Sequence, residues 1–238
     1  TSIALKSILK NNVKTIHIQN PKLSLNNFDL LLIPEHDRIK GQNVIQTKGA
    51  LCFFEEKDIK KFKQPNLNKI KTKKNTVLLM VGGNSKKQKP NNSEYFELST
   101  KVIQGVKNLN AQLIVTVSRR TPSKAIKILQ STFSKHLSDF KILSSDENNL
   151  YPKILEIIDY TIVTSDSVNM ISELATLSKP LFIFHFSKEN KKISFFISNL
   201  KELNIVQDYH GYLFKYGKSK LQTNKITILQ INKFFGFK

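Results

Sequence analysis

Three short polar clusters in this sequence have the chemistry to hold an anion. Gly82-Gly83-Asn84-Ser85, Ser118-Arg119-Arg120-Thr121-Pro122 and Ser165-Asp166-Ser167 each directly follow an apolar run. Glycines let backbone approach a ligand closely and supply positive φ at little cost. Hydroxyls and free amides at a helix start suit phosphate, and a guanidinium grips phosphate or carboxylate through two parallel hydrogen bonds. Arginine is scarce: Arg38, Arg119 and Arg120 stand alone among cations that are otherwise lysine. A structural Arg–Asp pair is the competing explanation for such a residue. A fourth cluster, Pro34-Glu35-His36-Asp37-Arg38, follows the run Phe28 to Ile33. Proton transfer near neutral pH favours imidazole, so His36 is a candidate general base beside the Asp37 carboxylate. Neighbours on an extended segment point opposite ways, which would pair His36 with a group from elsewhere. A simple loop hydrogen bond would also account for it. Glu173 could accept hydrogen bonds from ribose hydroxyls or be an ordinary solvated carboxylate.

The elements that must position these groups alternate between strand and helix. Tyr160 to Thr164 is a β-branched run, Val168 to Leu177 is apolar at helical spacing, Lys179-Pro180 stops it, and Leu181 to Phe184 is apolar again. That is strand, turn, helix, strand, the unit of a parallel sheet covered by helices. The Ser165-Asp166-Ser167 turn then meets the carboxyl edge of the sheet at a helix start, although Ser165 and Ser167 would serve equally as caps. Thr76 to Val81, Ala111 to Val117 and Phe140 to Leu143 read as further strands, and Ser93 to Lys107, Ser123 to Lys135 and Tyr151 to Ile158 as helices. The first of these helices is expected to pack through Tyr95, Phe96, Leu98, Val102 and Val106, and Thr121 to cap the second. Three polar strand ends thus converge on one edge. Earlier in the chain, Lys14 to Gln19, Phe28 to Ile33 and Asn43 to Thr47 read as strands. Between Glu55 and Asn75 a polar, lysine-rich tract lacks apolar periodicity and reads as a linker.

Composition limits the alternatives. A chain of 238 residues holds one large or two modest domains. No apolar run is long enough to cross a membrane. Net charge is +20, which suits an anionic surface. The lysines are spread along the chain, however, and the phenylalanines sit in apolar context, so nucleic acid is not the expected partner. Loose attraction to anionic lipid headgroups fits better. Cys52 is the single cysteine, which excludes a disulfide framework and a cysteine-based metal site and suits a reducing compartment. Between Leu51 and Phe53 it reads as a small buried hydrophobe. No G-x-G-x-x-G follows any strand, which argues against a dehydrogenase or epimerase.

Beyond these readings, FDLLLIPEHDRIKGQNVIQTKGAL at Phe28 to Leu51 closely resembles the signature of the "elongated mitochondria" fission family, whose bacterial members are often labelled nucleoside-diphosphate-sugar epimerases. VGGNS at Val81, SRRTP at Ser118 and TSDSVNMISE at Thr164 recur in the family's order. The resemblance implies an α/β, GT-B-like architecture: two Rossmann-type domains with parallel sheets facing a cleft. It divides the chain into an acceptor-side N-terminal domain and linker (1–71), a nucleotide-sugar domain (72–220) and a helix crossing back (221–238). Because the chain starts at Thr1, in what reads as the tail of a helix, the N-terminal domain is expected to be truncated. Glu173 matches the carboxylate that holds the nucleotide ribose. Gly82, Gly83 and Asn84, with Ser165, Asp166 and Ser167, match the diphosphate-binding turns. Arg119 or Arg120 would neutralise the leaving diphosphate, Ser118 would belong to the same donor-binding turn, and the His36 and Asp37 loop would supply base or acceptor contacts. The expected activity is a metal-independent glycosyl transfer with a nucleotide diphosphate-sugar as donor substrate and no further cofactor, on a lipid-linked or envelope acceptor. The expected location is cytoplasmic, or peripheral to the inner face of the membrane. The alternative implied by the plant branch is a non-catalytic protein that recruits a membrane-remodelling partner.

Overall fold

The computed structural model describes residues 2–9, 12–53, 55–59, 61, 75–86, 88–143 and 150–237. The basic tract from residue 62 to 74, with the domain boundary expected inside it, lies outside these residues, as does Lys87. The chain forms two compact units, one from residues up to Cys52 with those from Leu221 onward, the other from Phe53 to Lys220. No described helix is long and apolar enough to cross a membrane.

The first unit is built on a three-stranded parallel sheet, β1 (Ile16–Ile18), β2 (Leu30–Pro34) and β3 (Val44–Thr47), with β2 in the middle. Leu30 to Ile33 are all buried, the pattern of a parallel strand covered on both faces. Leu31 and Ile33 pack with Phe28, Ile3 of helix α1 (Ser2–Leu9), Leu25, Ile39 and Val44. The last helix, α8 (Thr223–Phe235), lies against β3, and Asn224 grips the Cys52 backbone through both amide atoms. Cys52 is therefore only half-buried, not the core hydrophobe expected, because the neighbouring Phe53 is 95% exposed and builds no apolar shell. After β2 the chain forms a single 3-10 turn, Glu35–Asp37, closed by Arg38 at φ 57. His36 and Asp37 thus lie on a tight turn, and the expectation of an extended segment fails. In a 3-10 turn successive side chains diverge by about a third of a revolution and do not point to opposite sides.

The second unit begins with a short helix, α2 (Glu56–Ile59), inside the tract expected to be a linker. It lacks helical periodicity because it is one turn long. Its place is fixed by buried Ile59 and by Glu56, which accepts hydrogen bonds from Ser178 and pairs with Lys220. There follow β4 (Thr76–Val81), α3 (Asn92–Asn108), β5 (Gln112–Val117), α4 (Ser123–His136), β6 (Phe140–Ile142), α5 (Tyr151–Ile157), β7 (Tyr160–Thr164), α6 (Val168–Ala175), β8 (Leu181–Phe184), α7 (Lys191–Glu202) and β9 (Gln207–Asp208). Every strand pairing is parallel, in the order β6-β5-β4-β7-β8-β9. Counted from β4 this is 3-2-1-4-5-6, the doubly wound nucleotide-binding order. α7 and β9 lie beyond the elements expected from sequence, and the two residues of β9 are too few to leave a pattern.

Packing follows the strand alternation. Val77, Leu79 and Val81 of β4 face Tyr95, Leu98, Val102 and Val106 of α3, and Ala125, Leu129 and Phe133 of α4 join the same core. Leu78 and Met80 point to the opposite face. Phe96, expected in the core, is 57% exposed, because one residue along a helix is a rotation of about 100° from Tyr95. The start of α3 is sealed by a capping box in which the Asn91 side chain accepts from the Glu94 amide and Glu94 accepts from the Asn91 amide.

Candidate functional site

Strand order reverses between β4 and β7, and in open α/β sheets ligands bind outside the carboxyl ends of strands at that reversal. Gly82-Gly83 leave β4 there, Ser165-Asp166-Ser167 leave β7, and Ser118-Arg119-Arg120 leave β5 on the other side of β4. The three turns are stitched together by hydrogen bonds. The Gly82 amide donates to Thr164 Oγ1 (2.8 Å), the Gly83 amide to Asp166 Oδ2 (2.9 Å) and the Asn84 amide to the Arg120 carbonyl (3.0 Å). Thr121 does not cap α4. Its hydroxyl lies against the Val81 and Gly82 carbonyls (3.1 and 2.9 Å) and also accepts from the Ser118 amide, leaving Pro122 at the cap position. A hydroxyl facing the β4 carbonyls at the strand end is drawn to them before it can fold back over its own helix.

The glycines therefore serve a different purpose from the one read in the sequence. Neither has a positive φ. A Cβ on Gly82 would overlap the Asp166 carboxylate, and one on Gly83 would overlap the Arg120 carbonyl and lie 2.5 Å from the Thr121 amide nitrogen. Their missing side chains let protein, rather than ligand, approach the end of β4, and three amides of this turn already have protein acceptors.

The two helix starts beside it are more open. The first amides of any α-helix lack intrahelical acceptors. α4 carries no side-chain cap, and α6 is capped only by a long contact of 3.5 Å from the Met170 amide to Ser167 Oγ. Both present the positive end of a helix dipole. Arg120, with 44% of its side chain exposed, stands 3.5 Å from Asp166 Oδ2. Burial pushes the Asp166 carboxyl above the usual carboxylate range, and Thr164, Gly83 and Arg120 only partly offset this. Arg119 is exposed. Ser165 is fully buried and accepts from the Phe186 amide, so it serves the fold of the next loop and not the rim directly.

Glu173 lies further along α6. Its Oε1 is buried and has no hydrogen-bond partner among the described residues. Burial pushes its carboxyl upward, with a partial offset from the Tyr151 hydroxyl. A carboxylate oxygen so placed is costly unless a donor arrives. The structure thus gathers Gly82, Gly83, Asn84, Ser118, Arg120 and Asp166 into one hydrogen-bonded corner and sets Ser167 and Glu173 on the helix leaving it. His36 and Asp37 belong to the other unit, at the carboxyl end of β2. Among the described residues no three His, Cys, Asp or Glu side chains are arranged to hold a metal ion. The sequence reading missed Thr164 and Thr121 as the pins of this corner, and it missed the polar segment His185 to Glu189 after β8. The rule that polar residues after an apolar strand mark a functional edge, applied once more to Leu181 to Phe184, would have found the last of these.

The family model described as mitochondrial fission ELM1 matches residues 1–228. The chain belongs to that family. An uncharacterised protein of Rickettsia prowazekii is 27% identical over 84% of this chain and 66% of its own length. The mitochondrial fission protein ELM1 of Arabidopsis thaliana is 22% identical over 88% of this chain and 54% of its own. The chain therefore spans between half and two thirds of these relatives. Among solved structures, Acinetobacter baumannii MurG aligns with a TM-score of 0.50 at 11% identity, over 97% of this chain and 61% of that one. Staphylococcus aureus MnaA, solved with UDP, aligns with a TM-score of 0.50 at 10% identity, over 90% and 62%. At such identities the likeness shows the fold, and with the two parallel sheets it places this member of the family in the GT-B class.

Proposed function

We propose that the unit from Phe53 to Lys220 binds the diphosphate and ribose of a nucleotide sugar, and that the protein is a metal-independent GT-B-like glycosyltransferase. The observation that carries this reading is the place of Glu173 on the helix that starts at the strand-order reversal, with its buried Oε1 lacking a hydrogen-bond partner among the described residues and the Tyr151 hydroxyl acting on the same carboxyl. Vicinal ribose hydroxyls would supply the missing donors. The diphosphate would lie across the starts of α6 and α4, beside Arg120, and the satisfied Gly82-Gly83-Asn84 turn would form the floor. As an acceptor oxygen attacks the anomeric carbon and the bond to the diphosphate breaks, charge grows on the leaving group, where the guanidinium and helix dipoles would stabilise it. Within the first unit, His36 and Asp37 would be the candidates for base or acceptor contacts. The solved complex of MnaA with UDP agrees with a uridine nucleotide as the first donor to try. The basic surface suits a lipid-linked or envelope acceptor.

The test is a thermal-shift screen of the protein against nucleoside diphosphates and their sugars, repeated with Glu173→Ala and Arg120→Ala. A true donor at about 100 times its Kd stabilises by about 2.7 kcal/mol, and either substitution should remove most of that shift. A second reading, a non-catalytic protein that recruits a membrane-remodelling partner, is favoured by the amides of Gly82, Gly83 and Asn84, which are already taken by protein acceptors. No stabilisation by any nucleotide would decide for it.

A further inference from the structure

Immediately after β8 the chain places His185 between two carboxylates from different elements. Nδ1 lies 2.5 Å from Glu189 Oε1, in the loop before α7, and Nε2 lies 2.8 Å from Asp208 Oδ1, at the end of β9. A neutral imidazole has one N–H and one lone pair, so it can serve only one of these acceptors and must turn its lone pair on the other. The arrangement is satisfied by the imidazolium. The carboxylates do further work. Asp208 Oδ2 pairs with Lys201 of α7 at 2.5 Å. Glu189 Oε2 accepts from Ser194 at 2.9 Å. The Ser165 oxygen accepts at 3.0 Å from the amide of Phe186, the residue after His185. Ser165 is fully buried, and its neighbour Asp166 is bonded to Gly83 and paired with Arg120. The clasp on His185 therefore holds the start of the loop after β8, whose Phe186 amide is bonded to Ser165 in the turn between β7 and α6.

We infer that His185 is a positioning residue: as an imidazolium clasped by Glu189 and Asp208 it fixes the loop whose Phe186 amide holds Ser165, and so orders the β7–α6 turn where the proposed nucleotide diphosphate would sit. The binding half of this inference rests on the function proposed above; the ordering half does not. Burial works against the charged ring, but Glu189 and Asp208 outweigh it and hold His185 above the ordinary histidine range. A base whose folded pKa is raised contributes in full below its unfolded value, near 6.5, and that contribution is lost as pH rises through the folded value. The charged groups bonded to the ring are Glu189 and Asp208, and Lys201 is paired with Asp208. On the adjoining loop Lys188 lies near Glu94 of α3, which is itself occupied by Ser187. Lys218, pushed down to about 7 by burial, also titrates within the range scanned and donates to the Ala175 and Leu177 carbonyls at the far end of α6.

The experiment measures amide hydrogen exchange of residues 164–170, corrected for intrinsic rates, together with the UDP affinity by calorimetry. Both are followed from pH 5.5 to 9.5 in the wild type, His185→Gln, His185→Arg and Lys218→Met. The clasp predicts that exchange in the wild type and in Lys218→Met accelerates at least about fivefold as pH rises, with the same midpoint as an NMR titration of His185. His185→Gln should exchange fast throughout. His185→Arg, which keeps a permanent cation with donors for both carboxylates, should remain slow throughout. Equal, step-free exchange in the wild type and His185→Gln overturns the inference, as does a step that disappears in Lys218→Met. Where UDP binds, its Kd should rise with the same midpoint. A Kd without that step, beside a clear exchange step, refutes the link to binding. Absence of UDP binding at every pH counts against the proposed donor and leaves the exchange result to decide the clasp.

Discussion

Replacing Gly83 by alanine tests whether the corner at the end of β4 is as closely packed as described. The new Cβ would overlap the Arg120 carbonyl and stand 2.5 Å from the Thr121 amide nitrogen, and both are backbone atoms. Relief requires the β5–α4 turn to withdraw by on the order of 1 Å. That turn is held by the hydrogen bond from the Asn84 amide to the Arg120 carbonyl and by Thr121 Oγ1 against the Val81 and Gly82 carbonyls. Losing two of these bonds in a buried corner costs about 1–1.5 kcal/mol each, and residual overpacking about 1 kcal/mol more, or about 3–4 kcal/mol in all. For a unit of this size that is a fall in Tm of roughly 6–15 °C. Differential scanning calorimetry of Gly83→Ala, beside Gly217→Ala as a control, reads it directly. Nothing lies within 4 Å of a Cβ at Gly217, so that variant should stay within about 0.5 kcal/mol of the wild type. A Gly83→Ala protein that melts with the control would refute the stitched corner and restore Gly83 as an open ligand-facing residue.

Three further substitutions probe separate parts of the argument. Glu173→Gln keeps the volume but removes a buried carboxyl already pushed upward by desolvation, so stability should hold or rise slightly while nucleotide affinity falls about tenfold; a melting and calorimetry pair checks both. Lys218→Met deprives the Ala175, Leu177 and Ser219 carbonyls of their shared donor at the end of α6 and should cost about 1–3 kcal/mol in urea unfolding. In the first unit burial opposes the Asp29 charge, but hydrogen bonds from the Thr15 amide and hydroxyl and the ion pair with Lys6 hold its carboxyl down at about 2. Its stabilisation, about 1–2 kcal/mol after allowance for solvent screening, is present above pH 4 and is lost as pH falls toward 2; acid titration of Asp29→Asn should lack that step.

The sheet of the second unit was legible because its strands are buried on both faces and leave unbroken apolar runs, and because each helix between them keeps its 3.6-residue period. What escaped was fixed by contacts distant in sequence. α2 is a single turn held by Ser178 and Lys220, partners more than a hundred residues away, and β9 pairs only two residues with β8. The polar strand ends were legible for the same reason as the strands: ionisable and hydroxyl groups in a row are conspicuous against an apolar run. Their purposes were not. Thr121 reads as a cap because threonine before Pro122 usually is one, yet its hydrogen goes to the carbonyls at the end of β4 and its oxygen accepts from the Ser118 amide, not from the helix amides. Gly82 and Gly83 read as room for a ligand because that is the commonest use of a glycine pair after a strand, yet the space is filled by Asp166 and Arg120.

That reassignment bears on where charge can be held. Three helices of the second unit start near the end of β4, and they differ in how their free amides are disposed. α3 is closed by its own capping box, with Glu94 also holding Ser187, so an anion there would have to displace a carboxylate already bonded to three donors. α4 and α6 lack so complete a seal, and Arg120 stands beside the turn that opens α6. The positive ends of two dipoles and a half-exposed guanidinium then concentrate on the side of the corner away from α3, where Asp166 supplies the only opposing charge paired to that arginine among the described residues. Because Asp166 is buried and its ionised form is disfavoured, an incoming phosphate has the advantage in competing for Arg120: it brings more negative charge at a solvent-accessible place, and the hydrogen bonds from Thr164 and Gly83 remain to satisfy Asp166. An Asp166→Asn substitution separates the two contributions. With its amide oxygen accepting from the Gly83 amide and its NH2 donating to Thr164 Oγ1, the asparagine should keep the corner folded and tighten diphosphate binding by a few fold, and weaker binding in a folded Asp166→Asn protein would show that the arginine needs its carboxylate to be held in place.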